Sequence, residues 1–261
     1  GSSYERSCKT HGAPLGGDAY VNTVKNLGGD PENPFVIFDD VKEIYTKRAA
    51  ELEAIAAERH AEEEEWAKAN PEMAAKQAQW FSGNAPVVDW SSLTQKEDAP
   101  TRNASAACLG ILAEQVPNMI CSSADLCNSD KTDGFLNKTK NLIAGDFSGG
   151  FLQAGVAELT MACCCIGMAL HGGIIPACGT FFVFSDYMKP AIRMAALMQL
   201  PVKFIWTHDA FRVGEDGPTH EPIEQLAAMR TMPNVTSFRP ADANETAYAW
   251  VEMLNNVKGP S

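Results

Sequence analysis

The chain has 261 residues, 45% of them hydrophobic and 21% charged, enough for one large α/β domain or one domain with a tethered segment. Its formal net charge of -12 and pI near 4.9 exclude a nucleic-acid binder built on clustered Lys and Arg, so any anionic ligand must be held by a few local groups. No run of about 18 apolar residues offers a membrane span. The eight cysteines lack C-x-x-C pairing or Cys/His ligand spacing and read as buried reduced thiols, which favours a reducing compartment.

Residues 1–34 are rich in Gly, Pro and Asn and read as loop, with a short helix over 18–27. Val41, Ile44, Tyr45, Leu52 and Ile55 then recur at helical spacing. A glutamate run leads from them to Trp66, which predicts an amphipathic helix with an acidic, solvated face. Residues 67–100 mix apolar and turn character and read as a connector. From Thr101 onward, apolar runs suited to buried strands alternate with helical runs, the pattern of an α/β fold with a parallel sheet and helices on both faces. The expected order begins with helix 101–115, strand 118–122, a long polar loop to 153, helix 155–171 and strand 174–177. It continues with helix 186–199, strand 202–207, a glycine-rich loop, helix 222–231, strand 235–239 and helix 243–256, the last begun by Asp242 with Glu245 in its first turn.

Ligands of such a sheet bind beyond the carboxyl ends of its strands. Three polar segments fall there: Ser123-Ala124-Asp125-Leu126, His208-Asp209 and Pro240-Ala241-Asp242. Helix capping is the alternative for each, and for Asp242 it is the better reading. His208 is followed by the loop 214–220, which adds Asp216 and His220. Groups this dense are costly to bury unless a ligand or partner satisfies them. A zinc site would need a further ligand at suitable spacing, which is missing. Glu158 sits among Val156, Ala157, Leu159 and Met161, where a carboxyl loses hydration and can share a proton with a nitrogen base. Phe181, Phe182, Phe184 and Tyr187 form an aromatic cluster; core packing is its ordinary reading and stacking on a flat ring the sharper one.

Taken in order, His11-Gly12-Ala13-Pro14-Leu15-Gly16, Thr101-Arg102-Asn103-Ala104-Ser105, Ser123-Ala124-Asp125-Leu126, Gly155-Val156-Ala157-Glu158 and Leu170-His171-Gly172-Gly173 resemble transketolase. The resemblance continues through Thr180-Phe181, the helix around Arg193, Thr207-His208-Asp209 and the loop ending at His220, so it spans nearly the whole chain. It implies the pyrimidine-type domain of a thiamine diphosphate-binding fold over 101–261, truncated at its C-terminal end. A helical linker over 41–100 and the tail of the diphosphate-binding domain over 1–40 would precede it. The implied reaction is transfer of a two-carbon ketol unit between sugar phosphates in the pentose phosphate pathway.

Residue by residue, the resemblance gives Glu158 the pyrimidine ring nitrogen of the cofactor and gives Phe181, Phe184 and Tyr187 the pocket around that ring. His208 would contact the substrate, and Asp216 and His220 would read a sugar hydroxyl and help move protons. Arg102, Ser129 and His220 would grip the sugar phosphate, a task that suits a guanidinium fork. His11 would lie between the cofactor's diphosphate and the substrate. Asp125 and Leu126 would reach the cofactor of a second subunit, which implies a homodimer with sites at the interface. The Mg2+ or Ca2+ at the diphosphate would take ligands outside this chain.

Several residues depart from the family pattern. Ser122 stands where glycine is usual, Asn128-Ser129-Asp130 where Pro-Ser-Asn is usual, and Pro190 falls within a helix. The ends look like cuts through something longer, and the chain alone is expected to be inactive. A cytoplasmic location is expected, or a plastid one if a transit peptide lies upstream. The alternatives are a related thiamine diphosphate enzyme, such as a deoxyxylulose phosphate synthase or a dehydrogenase β subunit, and a non-catalytic assembly module.

Overall fold

Short apolar runs closed by turns make four strands in the computed structural model, which describes residues 2–261: β1 (Met119–Ser123), β2 (Phe151–Gln153), β3 (Ile175–Phe181) and β4 (Lys203–Thr207). All pair in parallel in the order β2-β1-β3-β4, with Cys121 opposite Phe151 and Ala177, and Ala177 in turn opposite Lys203. The chain leaves β1 to one side for β2 and returns to the other side for β3. The crevice where strand order reverses therefore lies between the carboxyl ends of β1 and β3.

These strands belong to the second of two compact units, Pro71–Ser261. Its helices are α3 (Pro71–Phe81), α4 (Thr101–Gln115), the short α5 (Cys127–Asp130) and α6 (Asp133–Leu136), α7 (Glu158–His171), α8 (Ser185–Leu197), α9 (Gln225–Thr231) and α10 (Ala243–Asn255). The period-2 alternation of a strand sorts the core onto two faces. Cys178 and Phe204 point to one face, where Met161, Met188, Ile192 and Met229 come from α7, α8 and α9. Their neighbours Cys121, Ala177 and Ile205 point to the other, against Leu109 and Leu112 of α4 and Trp250 and Met253 of α10. Helices thus cover both faces, as the alternating pattern predicts.

Within this unit α4 matches its expected bounds, and α10 stops one residue short of them. Asp242 caps α10 by accepting from Glu245 N at 2.8 Å, while the Glu245 carboxylate accepts from Ala241 N at 2.7 Å. Pro190 sits inside α8, which runs through it.

Other expectations need correction. The polar loop before 153 contains α5, α6 and the three-residue strand β2. Residues 235–239 form no strand. Thr236 N donates to Pro260 O, and residues 259–261 lie between that segment and β4, with Ser261 N donating to Val202 O and Phe204 N to Ser261 O. Residues 237–239 line a cavity. Of the cysteines, Cys108, Cys121, Cys165 and Cys178 are buried and Cys127 half-buried; Cys8 is exposed in the first unit, and Cys163 and Cys164 are exposed because only one face of α7 meets the core.

The first unit, Gly1–Asn70, holds a 3-10 turn (Cys8–Thr10), α1 (Gly17–Asn26) and α2 (Asp39–Ala69). Asp39 and Asp40 in the first turn of α2 and Lys68 in its last complement the helix dipole. None of the residues of α2 is buried, so its apolar stripe is as open as its acidic face. No described helix is long and apolar enough to cross a membrane.

Candidate active site at the carboxyl edge of the sheet

The turns leaving β1, β2, β3 and β4 carry the polar residues singled out above. After β1, Asp125 takes a left-handed φ of 65° and is exposed, and Leu126 N donates to Ser123 Oγ at 3.2 Å. That turn is fixed from beneath by Asp130, whose carboxylate accepts from Ser123 Oγ at 2.7 Å, Thr132 N at 2.9 Å and Thr132 Oγ1 at 2.7 Å. Burial pushes the Asp130 carboxyl up from the usual range, and the three donors oppose that. Gly179 of β3 allows the approach: a Cβ there would stand 2.6 Å from Thr132 and 2.9 Å from the Asp130 carboxylate. Ser122, the residue where glycine is usual, is fully buried and donates to Ala177 O at 3.1 Å.

After β2, a bend at Gly155 leads to Glu158, the first residue of α7. Glu158 is 8% exposed, and no described residue gives its carboxyl a hydrogen bond. Its carboxyl oxygens are not among the fully buried side-chain atoms left without a partner, so they reach the crevice and stand open to a ligand.

After β3, the aromatic run folds into a pile. Phe181 and Phe184 stack with centroids 6.2 Å apart, Phe184 and Tyr187 with centroids 6.1 Å apart. Phe182 turns away to stack on Trp206 at 5.4 Å in the core. The core and ring-stacking readings of this cluster are therefore divided among its members: Phe182 is core, while Tyr187 is 63% exposed at the open end of the pile.

After β4, His208 adopts a left-handed φ of 54°, a conformation rare outside glycine and found at functional sites. Its ring stacks on Phe181 at 3.6 Å. Nε2 lies 2.7 Å from the Arg102 guanidinium, and Nδ1 lies 2.9 Å from Thr207 Oγ1. The guanidinium can only donate, so Nε2 accepts and the neutral ring carries its proton on Nδ1, donated to Thr207. Burial, then Arg102, hold His208 below the usual histidine range; His220 adds to this, and Asp216 and Asp209 oppose it. The backbone at Asp209 is braced by Arg239, whose Nε donates to its carboxylate at 2.7 Å.

Arg102, Ser129, His208 and Asp216 line one cavity of about 600 Å³ between the end of β4 and residues 236–240. Arg102 Nε is buried there without a partner, an unsatisfied cationic donor in a lining with further polar groups. His220 completes the group from the loop, edge-on to Phe184 at 5.2 Å and to Phe181 at 6.3 Å. His11 belongs to the first unit, where it is exposed and its N–H donates to Cys8 O. The roles of Thr207 and Arg239 were not read from the sequence. The only signal was their place beside His208 and at the end of an apolar run.

Residues 97–261 match the family described as transketolase, pyrimidine binding domain, and residues 1–86 match the one described as transketolase, thiamine diphosphate binding domain. A probable transketolase of Streptococcus pneumoniae is 41% identical over 260 residues, covering 96% of this chain and 38% of that protein. A chloroplastic transketolase of Craterostigma plantagineum is 40% identical, covering 98% of this chain and 50% of the other. The solved transketolase of Leishmania mexicana superposes with a TM-score of 0.83 at 34% identity, over 95% of this chain and 37% of that one. A Pichia stipitis transketolase in complex with sedoheptulose 7-phosphate gives 0.83 at 31%, over 96% and 39%. The chain spans well under two thirds of the length of each relative.

Proposed function

The chain belongs to the transketolase family, and from that premise we propose that it supplies the pyrimidine-side half of a thiamine diphosphate site for ketol transfer between sugar phosphates. The observation that carries this reading is the Glu158 carboxyl, on a residue only 8% exposed and without a hydrogen bond from any described residue, at the same sheet edge as the pile Phe181, Phe184 and Tyr187. A ring nitrogen of a flat heterocycle would satisfy the acid, and aromatic faces would stack on the ring itself.

Glu158 then holds a proton at the pyrimidine nitrogen, and the aromatic side chains orient the ring and keep water from it. When bound, the cofactor supplies the nucleophilic carbon and the electron sink. Arg102, Ser129 and His220 grip the sugar phosphate, while His208 and His220 hold or move protons at substrate hydroxyls and Asp216 reads one of those hydroxyls. His11 serves the diphosphate side. Asp125 and Leu126 serve a cofactor held by a second copy, so the working form is a homodimer. Mg2+ or Ca2+ sits at the diphosphate on ligands outside this chain. In domain terms, residues 1–40 close the diphosphate-binding domain, 41–100 link, and 101–261 bind the pyrimidine. The product works in the pentose phosphate pathway. The family match does not favour the deoxyxylulose phosphate synthase or assembly-module alternatives.

The test is ketol transfer from xylulose 5-phosphate to ribose 5-phosphate by this chain in its full-length product, with and without thiamine diphosphate. Cofactor-dependent transfer is expected. Cofactor binding without transfer would rule out these substrates, and no cofactor binding would rule out the reading altogether.

A further inference from the structure

The Arg102–His208 contact joins two groups that the proposed function assigns separately to phosphate and substrate, and the inference drawn from it rests on that reading. Among the described residues the guanidinium has no acceptor other than the Nε2 lone pair of His208, at 2.7 Å, and its own Nε is buried without a partner. An imidazole nitrogen is a poor substitute for an oxyanion, which carries several acceptor oxygens and full negative charge. We propose that a phosphate entering the cavity takes Arg102 from His208, and that the imidazole, its Nε2 released beside a dianion, takes up a proton from solvent. Anion binding and protonation of His208 are then a single event.

The balance is simple: one hydrogen bond, guanidinium to Nε2, is exchanged for guanidinium to phosphate oxygen. One proton from solvent then occupies Nε2, which donates to the same anion. Nδ1 keeps its proton on Thr207 Oγ1 throughout. The groups facing the ring agree with this direction. Arg102 from α4 and His220 from the loop disfavour the imidazolium, Asp216 and Asp209 favour it, and Asp209 is already committed to Arg239. Phe181 from β3 contributes only its stacked face. A bound dianion cancels Arg102, the largest opposing charge. The consequence for function is that His208 becomes a second, charged ligand of the anion only when a phosphorylated substrate is present.

The experiment uses the 261-residue chain labelled with 15N at histidine. Ring nitrogen shifts would be followed during titration with inorganic phosphate, and with sulfate, which stays a dianion across the pH range. Without anion, His208 is expected as the neutral Nδ1–H form; with saturating phosphate, both its nitrogens become protonated. Sulfate affinity should fall as pH rises, by up to about tenfold per pH unit, in the wild type, and stay flat in His208→Asn. In Arg102→Gln the anion response should vanish. Anion binding with His208 still neutral would overturn the inference while leaving the phosphate reading intact. Failure of either anion to bind at all would overturn both.

Discussion

The two ends of the same parallel sheet treat polar groups in opposite ways. At the amino end they are closed within the chain: Asn118 Nδ2 donates to Gly173 O at 2.9 Å, Lys203 Nζ to Asn256 O at 2.8 Å, and Asn256 Nδ2 to Ser261 Oγ at 2.8 Å. At the carboxyl end the side-chain polar atoms of Arg102, Thr180, Ser185, Trp206 and Ser237 include buried ones without a partner, and Glu158 has none for its carboxyl. Asp125 and His208 are also held there in left-handed conformations. Buried polar groups are satisfied in the great majority of cases, so a cluster of exceptions on one edge marks where the chain is organised for something other than itself. The fold closes these bonds at the amino end and, at the carboxyl end, leaves several polar atoms open beside the closed Ser123–Asp130–Thr132 network.

Substitutions at the two ends should therefore separate activity from stability. At the carboxyl end, His208→Asn keeps a residue that tolerates the left-handed backbone. It should lower ketol transfer by about 100-fold in the full-length product while moving the unfolding free energy by less than about 1 kcal/mol. Steady-state kinetics beside urea denaturation reads both.

At the amino end, Gly173→Ala should do the reverse. Its φ is 74°, and the new Cβ would stand 2.8 Å from the Phe81 ring. A loss of about 2 kcal/mol is expected, and adding Phe81→Ala should recover only the steric part. Full recovery would show that the backbone conformation contributes nothing.

Lys203 gives a pH-dependent version of the contrast. Burial lowers its pKa from 10.5 to about 8, so the folded chain binds this proton less well than the unfolded chain. The penalty is fully present below about 8 and disappears as pH rises through 10.5. Lys203→Met should be more stable than wild type at pH 7 by about 1–2 kcal/mol, the lost bond to Asn256 offsetting part of the gain, with the advantage fading toward pH 10.5. An advantage that does not change with pH would contradict this assignment. The smallest effect belongs to Arg239→Gln, whose ion pair with Asp209 is half exposed and should contribute under about 1 kcal/mol, measured by thermal melts at low and high salt.

The sequence carried most of this architecture because the strands are buried on both faces. Runs such as Phe204-Ile205-Trp206 announce themselves, and the helices between them have clear periodicity. It failed where an element is defined by a neighbour rather than by its own residues. Phe151-Leu152-Gln153 is too short to read as a strand, yet it pairs with β1. Residues 235–239 have strand composition, yet among the described residues only Thr236 gives a backbone bond to a neighbouring segment, at Pro260. Within the site, Glu158 and the two histidines were legible as polar residues out of keeping with their surroundings. The bond from Arg102 to His208 was not, since 106 positions separate the two and only the return of β4 beside α4 brings them together.

The central claim, that Glu158 shares a proton with the pyrimidine of thiamine diphosphate, is tested most directly by the cofactor's own chemistry. Exchange of the thiazolium ring proton with deuterium should be measured by rapid quench and NMR, on cofactor bound to the full-length product and to its Glu158→Gln variant. The variant is expected to bind the cofactor and exchange at least about 100-fold more slowly. Equal exchange rates in both proteins would contradict the role given to Glu158.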